Sequence, residues 1–117
     1  MHVIRSCLRL AAVAAGLVLA HGAAQAADAA KGKQAFMKYG CWQCHGTVGQ
    51  GSPITGPKLA PDPMPLEALT TFLRTTNRTM PPYREAVLPN ADIADIHAYL
   101  ASIPKPADPN SIDLLKN

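Results

Sequence analysis

Helical periodicity is the dominant pattern in the second half of the chain. Pro65 stands at a first-turn position, and apolar residues recur every three or four positions from there to about Thr75. Asn90 is predicted to cap another helix, from Ala91 to Ile103, which Pro104 stops. The apolar positions of the helix after Pro65 are Leu66, Leu69 and Leu73, with Phe72 beside them. Those of the helix after Asn90 are Ile93, Ile96, Leu100 and Ile103, with Tyr99 beside them.

Capping signals predict one further helix, closer to the N-terminus. Asp28 can cap a helix through Ala29–Tyr39, and Gly40 is placed to end it. Gly32 lies inside this helix, where glycine costs roughly 1 kcal/mol relative to alanine. A glycine at such a position indicates a close approach of another backbone element.

The segment between the first two helices lacks any regular alternation of apolar and polar residues. Residues 46–65 contain four glycines and five prolines, which predicts an ordered loop in a domain of this size. The sequence therefore predicts an all-α fold, with about three main helices joined by long loops.

The N-terminus has the pattern of a secretory signal peptide. The first nine residues carry Arg5 and Arg9 and no acid, and residues 10–20 form an uncharged apolar run. A small-residue A-x-A site follows at residues 24–26, so we predict a leader of residues 1–26, cleaved after Ala26, and a mature domain of residues 27–117. An uncleaved anchor is the alternative, but the apolar run is shorter than the ~20 residues that span a bilayer.

Removal of the leader changes the charge balance. The full chain of 117 residues has 11 Lys and Arg against 8 Asp and Glu, and two of the arginines leave with the leader. The mature chain is then nearly neutral and has no basic cluster, which argues against a nucleic-acid partner. It also contains no second apolar segment for stable membrane insertion, so we expect a protein exported to the bacterial periplasm.

The sequence CWQCH at residues 41–45 is the candidate functional motif, and three chemistries compete for it. Structural zinc needs a fourth ligand, for which the mature chain offers only His97. A redox disulfide of the thioredoxin type requires a βαβ setting, whereas here a predicted helix precedes the motif. Attachment of a c-type haem uses Cys41 and Cys44 as thioether donors and His45 as an iron ligand. We therefore expect one covalently attached haem c per chain.

These residues, together with four further segments, resemble the class I (monohaem) c-type cytochromes, in particular the small bacterial periplasmic members. The resemblance extends from about Lys31 to Ile103. It rests on Gly32 and Phe36 in the first helix, CWQCH, Gly56-Pro57-Lys58-Leu59, Met80-Pro81-Pro82-Tyr83, and the closing helix with Tyr99 and Leu100. It implies a cytochrome c-like fold in which the closing helix crosses the first helix at the glycine.

The resemblance also implies the remaining site residues. The carbonyl of Pro57 is expected to accept a hydrogen bond from the ring of His45, and Met80 is expected to be the sixth ligand of the iron. Met64 and His97 are the alternatives within the chain, and an open distal site is a further one. Trp42, Tyr83 and Tyr99 are expected to be packing residues, the tyrosine hydroxyls bonding a haem propionate or the backbone.

The expected function is single-electron transfer between periplasmic redox proteins, an electron donor and an electron acceptor, by a chain that is not itself an enzyme. Four lysines near the motif are candidates for a docking face: Lys31, Lys33, Lys38 and Lys58. The chain is expected to be a monomer or a subunit of a redox complex. The alternatives are a fixed electron-transfer subunit of a periplasmic dehydrogenase or oxidase, and a haem sensor or peroxidase-like protein with a labile distal site.

Overall fold

The computed structural model describes residues 26–116, so the predicted leader lies outside the described residues apart from Ala26. Within this part of the chain the structure is helical and has no strand. Its α-helices are α1 (Ala29–Lys38), α2 (Trp42–His45), α3 (Leu66–Thr75) and α4 (Asn90–Ser102). Two short 3₁₀ helices, Pro109–Ser111 and Asp113–Leu115, follow in the exposed C-terminal segment. The predicted all-α fold is confirmed.

The N-terminus of α1 is capped by Asp28, as predicted. Its carboxylate accepts hydrogen bonds from the backbone N–H groups of Ala30 (2.8 Å) and Lys31 (3.1 Å). These two bonds, the one from Lys31 first, lower the pKa of Asp28 from its ordinary value. The backbone N–H of Asp28 in turn donates to the carboxylate of Asp95 at 2.7 Å, which ties the start of α1 to α4.

Helices α1 and α4 cross at Gly32, and their close contact forms the centre of the fold. A Cβ atom at Gly32 would overlap the backbone carbonyl of Asp95 and would lie 2.9 Å from the Cβ of Tyr99. One turn further along, the rings of Phe36 and Tyr99 pack with their centroids 5.7 Å apart. The crossing that the sequence predicts is therefore confirmed, and Tyr99 lies in the core rather than beside it.

The apolar stripe of α3 is only partly used in the core. Leu69 and Leu73 are buried, whereas Leu66 and Phe72 are 39% and 42% exposed. The core includes Ala35, Phe36, Ala60, Leu69, Leu73, Leu88, Ile93, Ile96, Tyr99 and Leu100.

The predicted cap of α4 is wrong by one residue. Asn90 is already in the helix and Pro89 occupies the capping position, with no side-chain capping bond. The side chain of Asn90 is engaged elsewhere, since its Oδ1 accepts a hydrogen bond from Arg74 (2.7 Å) and its Nδ2 donates one to Glu85 (3.3 Å). A side chain held by these two partners does not turn back to cap its own helix.

The long loop between α2 and α3 is ordered by its own backbone hydrogen bonds. Gly51 N–H donates to the His45 carbonyl at 2.8 Å, and the carbonyl of Gly49 accepts from Leu59 at 2.8 Å. Gly49 and Gly51 have positive φ values of 67° and 71°, which the loop path requires and which glycine adopts without strain. No helix that the structure describes between residues 26 and 116 has both the length and the apolar character needed to cross a membrane.

Candidate functional site

The CWQCH motif forms a single helical turn directly after α1. Cys41 starts the turn, and its carbonyl accepts a hydrogen bond from the His45 N–H at 3.0 Å. Residues three apart lie on the same side of a helix, so Cys41 and Cys44 are neighbours on one face. Cys41 is half-buried, Cys44 is exposed, and both thiols are free. The turn thus presents two sulfur atoms together, at the edge of the core.

His45 is buried, with 8% of its surface exposed, and its ring is held by the following loop. Its Nδ1 lies 2.8 Å from the carbonyl oxygen of Pro57. A carbonyl oxygen can only accept, so the proton of a neutral ring lies on Nδ1, and Nε2 keeps a lone pair. This hydrogen bond is the one that the resemblance implies. It fixes the orientation of an imidazole that has one nitrogen left for a metal.

The loop that carries Pro57 is fitted closely against the motif. A Cβ atom at Gly56 would lie 3.0 Å from the carbonyl oxygen of Cys44 and 3.1 Å from Nδ1 of His45. Beside it, the hydroxyl of Thr55 donates to the same Cys44 carbonyl at 2.7 Å. The loop therefore holds both the backbone and the imidazole at the end of the motif.

Met80 lies in the segment that joins α3 to α4, where it is half-buried and packs against the core. Tyr83, three residues later, donates its hydroxyl hydrogen bond to the carbonyl of Tyr39, at 3.0 Å. Burial chiefly, and then the nearby groups of Cys41 and Cys44, raise the pKa of Tyr83. These contacts place the segment after Met80 beside the CWQCH turn.

The remaining residues predicted from the sequence differ in exposure and in hydrogen bonding. Met64 is 41% exposed and Trp42 is 39% exposed. His97 is half-buried on α4. The hydroxyl of Tyr99 donates to the carbonyl of Thr47 at 2.8 Å, so both Tyr83 and Tyr99 bond the backbone, one of the two roles expected for them. The choice of iron ligands remains a prediction, and Met80 remains the preferred distal residue.

The zinc and redox-disulfide interpretations gain no support from the geometry. Across residues 26–116 no group of three or more His, Cys, Asp or Glu side chains is placed to hold a metal ion. Burial raises the pKa of the Cys41 thiol to about 11, whereas the reactive cysteine of a redox disulfide acts as a thiolate. The redox-disulfide interpretation also requires a βαβ unit, and the described part of the chain contains no strand.

Three residues near the site were not identified from the sequence: Tyr39, Thr55 and Arg74. The hydroxyl of Thr55 donates to Cys44, 11 positions away, and the carbonyl of Tyr39 accepts from Tyr83, 44 positions away. Arg74 is half-buried and donates hydrogen bonds to the carbonyls of Tyr83 and Leu88. The local sequence pattern predicts none of these contacts. The position of Arg74 beside an apolar helical stripe is only a weak indication of its role.

Comparison with known families agrees with this geometry. A protein-family model described as cytochrome C oxidase, cbb3-type, subunit III, matches residues 27–100, which is more than half of the chain and contains Cys41, Cys44, His45, Pro57 and Met80. No curated protein matches the chain, and no solved structure matches it. The chain therefore belongs to this family of c-type cytochromes and contains a cytochrome c domain, which binds haem for electron transfer.

Proposed function

We propose that the chain transfers single electrons between periplasmic redox partners, using one covalently attached haem c with His45 and Met80 as axial ligands. The observation that carries the proposal is the 2.8 Å contact between His45 Nδ1 and the Pro57 carbonyl, next to two free thiols. Two thiols for covalent attachment, an oriented imidazole and a soft thioether suit a c-type haem with one histidine and one methionine ligand. The residues present therefore fit this cofactor.

Cys41 and Cys44 act as the attachment residues in this proposal. Each thiol would add across one vinyl group of the haem, so that one carbon–sulfur bond would form and the thiol hydrogen would pass to the other vinyl carbon. The addition needs no external oxidant, because no electron leaves the pair of reactants. The helical turn from Cys41 to Cys44 brings both sulfurs to one side of the chain, which suits two attachments to one porphyrin.

His45 and Met80 act as the residues that set the behaviour of the iron. The haem, when bound, supplies a one-electron ferric/ferrous couple. The Pro57 carbonyl raises the basicity of the imidazole by accepting the Nδ1 proton. The thioether of Met80 is a soft, weak donor, so it favours ferrous iron and raises the reduction potential relative to a second histidine. The proposal assigns no catalytic residue to the chain itself.

Exposed lysines support docking to acidic partners. Lys31, Lys33, Lys38 and Lys58 all have exposed side chains, and the first three lie on α1, the helix that precedes the motif. Charged, weakly bound interfaces of small area suit brief electron-transfer encounters. Reaction with an acidic redox partner is therefore expected to slow as ionic strength rises.

A fixed subunit of an oxidase complex is the second candidate, and the description of the matching family favours it. The two candidates differ in whether the chain keeps a lasting interface. A free carrier purified under mild conditions elutes as a monomer, whereas a subunit elutes with its complex. Gel filtration of the haem-loaded protein from its native membrane and periplasmic fractions distinguishes them.

Covalent attachment gives a direct prediction for Cys41 and Cys44. In acidified organic solvent the haem is expected to stay on the polypeptide, with an intact mass equal to the mature chain plus one haem. Replacing both cysteines with alanine is expected to release the haem fully, while Trp42→Phe, which keeps both thiols, retains it. Free extraction of haem from the unaltered protein would refute the attachment role.

Localisation gives a second prediction. We propose export to the periplasm with removal of residues 1–26, so the N-terminal sequence of the periplasmic protein should begin at or near Ala27. A protein that retains Met1 and sediments with the membrane would support the uncleaved anchor instead.

A further inference from the structure

Arg74, on α3, connects three separate groups in the segment that follows Met80. Its Nη1 donates to the carbonyl of Tyr83 at 2.8 Å. Its Nη2 donates to the carbonyl of Leu88 at 2.8 Å and to the side chain of Asn90 at 2.7 Å. The guanidinium is planar and its donors are fixed relative to one another, so these acceptors are held in one arrangement.

Tyr83 is the part of this segment that is held most firmly. Its N–H donates to the carbonyl of Leu73 at 2.8 Å, its carbonyl accepts from Arg74, and its hydroxyl donates to the carbonyl of Tyr39 at 3.0 Å. All three of its hydrogen-bonding groups are therefore engaged, and Arg74 is the residue whose side chain donates to Tyr83.

The two residues between Met80 and Tyr83 are both prolines. The pyrrolidine ring fixes φ of Pro81 and Pro82 near −65°, which leaves this connection few free torsions. A displacement of Tyr83 is then passed on to Met80 instead of being absorbed between them.

The other end of the segment is also held by Arg74. Leu88 is fully buried, and its N–H donates to the carbonyl of Arg84 at 3.0 Å, which closes a compact turn from residue 84 to residue 88. Because Arg74 bonds the carbonyls of both Tyr83 and Leu88, it spans the base of this turn. Removal of the guanidinium takes away one hydrogen bond at each end of the turn.

We propose that Arg74 is the positioning residue for Met80: through Tyr83 and Leu88 it holds the distal segment so that the thioether stays within reach of the iron. This inference rests on the proposed function, because it takes Met80 as the distal ligand. A thioether is a weak donor, so its bond competes poorly with local opening of the segment. Arg74 limits that opening without contacting the iron or the ligand.

The test compares Arg74→Met with Arg78→Met and Arg84→Met. Arg78 and Arg84 are exposed and donate no side-chain hydrogen bond within residues 26–116, so their variants lose the same charge without loss of the bridge. In Arg74→Met, carbon monoxide should bind the ferrous protein at least tenfold faster than in the unaltered protein. The weak long-wavelength absorption band of methionine bound to ferric haem (the methionine band) should also weaken. In both control variants the carbon monoxide binding rate should remain within twofold of the rate of the unaltered protein. Arg74→Lys keeps the positive charge but loses the planar guanidinium with its several donors, so its carbon monoxide binding rate should be intermediate.

A second variant protects the test against a failure to fold. Asn90→Ala, on the exposed start of α4, removes one of the three acceptors and should raise the carbon monoxide rate about two- to fivefold. Hydrogen exchange of residues 80–88 should accelerate in both the Arg74→Met and Asn90→Ala proteins, while exchange in α1 stays unchanged. A purely structural arginine would lower the unfolding midpoint but leave the carbon monoxide rate at its original value, and that result would overturn the proposal.

The unaltered protein separates this inference from the proposed function. If its ferric form lacks the methionine band, Met80 ligation is refuted before any arginine variant is made, and the positioning role falls with it. If the band is present and Arg74→Met matches Arg78→Met in both carbon monoxide rate and hydrogen exchange, only the role of Arg74 is wrong.

Discussion

Replacing Met80 with alanine is expected to lower the reduction potential of the haem by at least ~59 mV, which is a tenfold change in the equilibrium constant of a one-electron couple. The variant loses the soft sixth ligand but keeps both thioethers and His45, so the haem should stay attached. Ferric iron, which prefers harder ligands, gains relative to ferrous iron. The methionine band should vanish, and carbon monoxide should bind the ferrous protein faster than it binds the unaltered protein.

Met64→Ala is the matched control for this experiment, because it removes the same side chain from a different loop. Met64 is 41% exposed, so its loss should cost less than the ~2–5 kcal/mol typical of buried methionines. The long-wavelength band and the potential should be unchanged. A Met80→Ala protein that keeps the band, together with a Met64→Ala protein that loses it, would show that Met64 is the ligand.

Gly32→Ala is expected to destabilise the protein by ~3 kcal/mol or more, at the upper end of the costs of overpacking. The added Cβ would overlap the backbone carbonyl of Asp95, which has no rotamer by which to move away, and would press on Tyr99. Helices α1 and α4 would have to separate, and the contact between Phe36 and Tyr99 would be lost with them. Denaturant unfolding of the haem-loaded protein measures the change.

The sign of this effect distinguishes tertiary packing from helix propensity. Alanine is about 1 kcal/mol better than glycine in a helix interior, so propensity alone predicts that the substitution stabilises α1. Lys33→Ala, at the exposed neighbouring position, serves as the control and should change stability by no more than about 0.5 kcal/mol. A Gly32→Ala protein as stable as the original would mean that the helices do not cross here.

Much of the fold could be predicted from the sequence because its signals are local. The cap at Asp28, the glycine at the end of α1 and the start of α3 after Pro65 each depend on residues within one helical turn. The position of Gly32 likewise indicated a close contact, although it could not name Asp95 as the partner. The prediction of Asn90 as a cap was wrong because of a non-local contact. Arg74, 16 residues away, donates a hydrogen bond to the side chain of Asn90.

Part of the candidate site could be predicted for the same reason. Cys41, Cys44 and His45 are close in sequence and lie on one turn, so a haem-attachment motif could be predicted from their spacing and the helical context. Pro57 and Met80 were expected only through the resemblance to a family. Arg74 was not predicted at all, because a charged helical residue gives no indication of which backbone carbonyls it will meet.

By itself, the sequence determined which segments are helical, and it predicted the cysteines that attach a haem and the histidine that follows them. The tertiary structure alone decided the contacts between distant segments: the carbonyl of Tyr39 that receives Tyr83, the two carbonyls held by Arg74, and the exposure of Leu66 and Phe72. The physical reason is that helix capping and periodicity act over one or two turns. A hydrogen bond across 44 residues exists only after folding has brought Tyr39 and Tyr83 together.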